Sequence, residues 1–124
     1  MDKLLERETN PDTLLIWKEI LNVADGVHSL APDLSSPGAD DALPRMRRIS
    51  IFLLSYISKV HEERSVKKYR RRLARCQKLL ERLQALVLSS RDKGRFRSER
   101  TAPLLAEINR TGESLSSLIS QPDN

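Results

Sequence analysis

With one cysteine, one tryptophan and four solitary glycines among 124 residues, the chain is short of the material that several functions require. Cys76 has no partner for an internal disulfide, which points to a reducing, intracellular compartment. Gly26, Gly38, Gly94 and Gly112 stand far apart, so no glycine-rich loop is available to cradle a phosphate. His28 and His61 are distant from each other and lack acidic neighbours at metal-ligand spacing. Two Phe, two Tyr and Trp17 cannot pave a sheet. No apolar run approaches the roughly 20 residues that cross a bilayer. The opening stretch MDKLLERETN lacks the apolar centre of a secretion signal. With no cofactor, metal or catalytic constellation legible, the expectation is a non-enzymatic cytoplasmic protein without a small-molecule substrate.

What the chain does have is helical periodicity. From Val66 to Val87, apolar residues fall at Val66, Tyr69, Leu73, Cys76, Leu80, Leu83 and Val87, alternating three and four apart. That is one face of a helix, and Leu79 and Leu86 widen it as a bundle helix requires. Cys76 lies on this face and reads as a small buried hydrophobe.

The neighbouring stretches carry similar patterns. Asn10-Pro11-Asp12 is a helix start: a cap, a proline where no N–H is needed, and an acid at the positive end of the dipole. Leu14, Trp17, Leu21, Ala24 and His28 are then expected on the buried face, helped by Leu15, Ile20 and Val27. Pro32 to Pro44 reads as a mobile linker, and its Ser35-Ser36-Pro37 is a candidate phosphorylation site. Pro44 opens a second helix with a seam of Ile49, Leu53, Tyr56 and Val60, flanked by Phe52 and Ile57. The apolar phase fails at His61-Glu62-Glu63-Arg64, and Ser65 can cap a new helix. Either a hairpin turn or a kink in one continuous rod satisfies this break.

After Leu88 a basic connection surrounds Gly94, and Phe96 reads there as an exposed aromatic. Thr101-Ala102-Pro103 restarts a helix with a seam of Leu105, Ile108, Gly112, Leu115 and Ile119. Gly112 on that seam costs about 1 kcal/mol relative to Ala, and a close approach by Trp17 would account for it. The expected fold is an all-α, antiparallel four-helix bundle over residues 11–120, with helices near 11–30, 44–61, 65–89 and 101–119. Residues 1–10 read as flexible or a short helical turn, and 121–124 as a tail.

Charge is the loudest functional signal. Between Arg45 and Arg100 there are 18 Lys or Arg against 5 Asp or Glu, a surplus of +13, while the remainder carries −8. On the third helix Arg64, Lys68, Arg71, Arg75, Lys78 and Arg82 recur three and four apart, roughly opposite the apolar seam. Only Glu81 interrupts the positive sign, so pairing one turn away does not explain the stripe. It is either a solvated face or a surface for an acidic partner. Arg95, Phe96 and Arg97 extend the candidate, with the ring expected to enter a headgroup layer. Nucleic acid is an alternative partner through counterion release, although few aromatics are present to stack on bases. A protein–protein adaptor or a self-associating bundle is a third reading.

The order of elements resembles the N-terminal four-helix bundle of mixed lineage kinase domain-like proteins and the related fungal HeLo-type domains. The residues that carry the resemblance are Val23-Ala24-Asp25, Leu30-Ala31-Pro32, the run Tyr69-Arg70-Arg71-Arg72-Leu73-Ala74-Arg75-Cys76, and the Leu79-Leu80 pair. The stretch LLAEINRTGESLSSLI fits the fourth helix in length and phase. The resemblance implies a cell-death adaptor that engages anionic membrane lipids through basic residues and passes on an oligomerisation signal. The chain shows no kinase-like or nucleotide-binding part, which leaves open whether it stands alone or was part of something larger.

Overall fold

Each helix buries positions alternating three and four apart, and three of the four seams are not where the apolar letters place them; in the second helix Ile49 and Tyr56 are only half-buried. The computed structural model describes residues 11–30 and 39–121. The helices are α1 (Pro11–Ser29), α2 (Ala39–Ser58), α3 (Val66–Asp92) and α4 (Ser98–Ile119), with a 3-10 turn at Val60–Glu62. α1 and α3 each pack against both α2 and α4, which closes a ring of four around one core. Neighbours run antiparallel: Gly26 near the end of α1 meets Leu104 near the start of α4, and Gln84 of α3 donates to Asn109 of α4 at 2.7 Å. The architecture is an all-α four-helix bundle. Among the described residues no helix is long and apolar enough to cross a membrane.

The α3 seam is as the periodicity predicts, with Tyr69, Leu73, Cys76, Leu80, Leu83 and Val87 buried, while Val66 is only half-buried. In α1 the expected face is rotated. Thr13, Ile16, Ile20, Val23 and Val27 are buried, whereas Leu14, Leu15, Trp17 and His28 are exposed. In α4 the seam is Thr101, Leu104, Ile108, Thr111, Leu115 and Leu118 rather than Leu105, Gly112 and Ile119. In α1 the Thr13 hydroxyl is bonded to that of Tyr69 across the core, and in α4 the cause is local. The Thr111 hydroxyl donates to Glu107 O at 2.8 Å and that of Thr101 to Ser98 O at 3.1 Å. A threonine whose hydroxyl is satisfied by its own helix packs its methyl like a small aliphatic. Ser50 of α2 does the same through Arg47 O at 2.8 Å, so the α2 seam runs Leu43, Met46, Ser50, Leu53, Ile57 and Phe52 faces outward.

The expected contact between Trp17 and Gly112 is absent, since no atom lies within 4 Å of where a Gly112 Cβ would stand. Close approach occurs instead at Gly26, whose Cβ would meet Leu104 Cδ1 at 3.0 Å.

Boundaries follow local chemistry. α2 begins at Ala39, five residues before Pro44, and α4 begins at Ser98, five before Pro103. Each proline interrupts a bond to the second residue of its helix, at the fraying end where the loss is least. Between α2 and α3 the chain breaks into a hairpin: Glu63 is extended, and Ser65 caps α3 by accepting from the Lys68 N–H at 3.4 Å. The remainder of the expected linker, including Ser35-Ser36-Pro37, and the stretches 1–10 and 122–124 lie outside the described residues.

Candidate anion-binding face

The basic stripe is a surface feature along α3. Arg64, in the extended turn before the helix, and Lys68, Arg71, Arg75, Lys78 and Arg82 on it are all exposed. Their spacing keeps them about opposite the seam, so packing the seam inward turns every one of them outward. None has a carboxylate partner among the described residues. Arg72, closer to the core, is instead paired with Glu63.

α2 lies beside this stripe and extends it. Arg45, Arg48 and Phe52 recur three and four apart on the flank of α2 that meets α3. With Arg82 they rim a groove of about 340 Å3 that Ile49, Leu79 and Leu86 floor, and no acid lines it among the described residues. Phe52 is 51% exposed. Further along the same junction the Arg75 guanidinium lies 5.8 Å from the centroid of the Tyr56 ring, within cation–π range. The face therefore offers fixed positive charge around an apolar strip, with an aromatic ring standing in solvent.

Phe96 is not that ring. It is 2% exposed and belongs to the core. At the end of α3, Gly94 takes φ +73°, Arg95 N–H bonds Ser90 O at 2.9 Å, and Gly94 N–H bonds Arg91 O at 2.9 Å. This tight left-handed helix stop reverses the chain at once. The next apolar residue is thereby tucked beneath the turn and is not free to insert into lipid. Arg95 is half-buried and Arg97 exposed at this end of α3, and neither lines the α2–α3 groove.

Arg45, Arg48 and Phe52 are the site residues that sequence reasoning missed. The signal was present in RMRRISIF, where two arginines and the ring share one flank, but Phe52 reads as core until the seam is known.

Burial pushes the Cys76 thiol up to about 12, outweighing the nearby Arg72 charge, so it stays protonated at neutral pH. His28 is exposed at the last turn of α1, and no group of three or more His, Cys, Asp or Glu among the described residues could hold a metal. Glu19 is buried between α1 and α4, where its Oε1 accepts from the Ser114 hydroxyl at 3.2 Å. No protein-family model matches the chain, and no curated protein matches it.

Proposed function

We propose that the chain is a non-enzymatic signalling or adaptor bundle whose α2–α3 face binds anionic lipid headgroups at the membrane surface. The observation that carries this reading is the combination on one face of cations that have no carboxylate partner among the described residues with the exposed Phe52. Lys or Arg near an anionic leaflet is worth about 1 kcal/mol each, so five or six give a reversible anchor. An aromatic ring between them adds apolar burial in the headgroup layer. A solvated face kept only for solubility would have no use for a ring there. With the resemblance to mixed lineage kinase domain-like bundles, the reading extends to a cytoplasmic cell-death adaptor that visits membranes peripherally.

The test is co-sedimentation with neutral and with anionic vesicles, beside a gel shift with mixed-sequence DNA and RNA. The proposal expects binding to anionic vesicles only, weakening steeply with salt. Tight nucleic-acid binding without vesicle binding would replace it with the nucleic-acid reading.

A further inference from the structure

α3 has grooves of opposite charge on its two flanks. Toward α2 the rim is Arg45, Arg48 and Arg82. Toward α4 lies a groove of about 380 Å3 with Glu81 and Glu113 on its rim, Leu80 and Ile108 in its floor, and no basic residue lining it among the described residues. Both glutamates are exposed, and neither pairs with a cation among the described residues. The amides that bridge this groove are already satisfied, Gln77 by Ser116 and Gln84 by Asn109.

Gly112 lines the same groove, well inside the 22-residue α4. Glycine weakens a helix interior relative to alanine. Here no contact among the described residues requires it, because a Cβ would have none of their atoms within 4 Å beyond its own helix backbone. Bare backbone in an open groove is what a side chain arriving from another molecule would need.

We propose that the occupant is a second copy of this chain, which lays its Arg45–Arg48–Phe52 edge into the Gly112 groove. The charges are complementary, two arginines one turn apart against two glutamates. Phe52, half exposed on its own copy, supplies the ring for the space over Gly112. The two surfaces are different, so the contact is head-to-tail and leaves the pair with one free groove, on one copy, and one free edge, on the other. Such contacts build rings or open chains and not two-fold dimers. This inference goes beyond the lipid reading and does not depend on it. It adds a consequence: an edge docked on a neighbour is unavailable to phosphates, so association and lipid binding compete.

Sedimentation velocity of the full chain tests it. The average mass should rise with concentration at about 50 mM salt and return to monomer at about 500 mM. The pair Glu81→Arg/Glu113→Arg should be monomeric at low salt, and so should the pair Arg45→Glu/Arg48→Glu. Mixed in equal amounts, the two variants should associate again, because each supplies the charge that the other now lacks. Gly112→Trp, with its fold checked by helical dichroism, should also be monomeric. A parent chain that stays monomeric at low salt, or a mixture that does not associate, overturns the proposal. So does association that persists in every variant, which would assign it to another surface. Glu81→Arg/Glu113→Arg keeps the lipid face intact and frees it from association, so it should bind anionic vesicles at least as tightly as the parent does. Loss of vesicle binding there would count against the lipid reading alone.

Discussion

Thr13 and Tyr69 meet hydroxyl to hydroxyl at 2.9 Å across the diagonal of the bundle, linking α1 to α3 inside the core. The two helices are not neighbours in the ring, so this bond fixes their relative rotation where ring contacts do not. It also shows why α1 is turned from the orientation its leucines suggest. With Thr13 on the seam, Ile16, Ile20, Val23 and Val27 follow inward, and Leu14 and Trp17 must face out. Thr13→Val should cost about 1–2 kcal/mol in denaturant unfolding. Adding Tyr69→Phe to that variant should cost less than Tyr69→Phe does in the parent. Additive costs would mean that the two hydroxyls do not support each other.

The two phenylalanines should behave in opposite ways. Phe96→Ala removes a buried ring from beneath the α3–α4 turn and should cost about 3–5 kcal/mol, read from chemical denaturation. Phe52→Ala should leave the midpoint nearly unchanged while weakening anionic-vesicle binding. A large stability loss at Phe52 would show that its ring is packed in the folded protein.

Glycine-to-alanine changes should likewise divide. At Gly112 the added methyl meets open space, so the helix gains about 1 kcal/mol of propensity and the melting temperature rises. At Gly26 the methyl meets Leu104, which is 3% exposed and held by the core, so the melting temperature falls. Equal shifts at both sites would contradict the packing of α1 on α4.

How far the sequence was legible depends on which residues carried each element. The α3 seam was legible because nearly every buried position there has an apolar side chain, and the stripe because its charges repeat with the same spacing. The phases of α1 and α4 were not, because Thr13, Thr101 and Thr111 count as polar in the sequence yet pack as aliphatics once their hydroxyls are bonded. Phe96 was misplaced because its burial follows from the positive φ of Gly94 and not from any local pattern. Arg45, Arg48 and Phe52 became a site only when α2 was laid against α3, a relation between helices that no single-helix periodicity contains.

Cys76 gives the pH dependence a definite sign. Its folded thiol is raised from 9.0 to about 12, so above pH 9 the unfolded chain loses a proton that the folded chain keeps. The stability this contributes is complete below pH 9 and is lost as pH rises toward 12. The melting temperature of the parent should therefore fall more steeply over that range than that of Cys76→Ala. A thiol reagent at neutral pH should label Cys76 only as the protein unfolds. Rapid labelling of the folded chain would show that the thiol is not buried.

The central claim is that the outward face of α3 holds a membrane surface, and one variant tests it most directly. Arg71→Glu/Arg75→Glu/Lys78→Glu alters three exposed residues with no carboxylate partner among the described residues, so the melting temperature should stay close to that of the parent. Co-sedimentation with anionic vesicles at low salt should then lose most of the bound protein. If the folded triple variant binds those vesicles as the parent does, the stripe is a solvated face and the lipid reading is wrong.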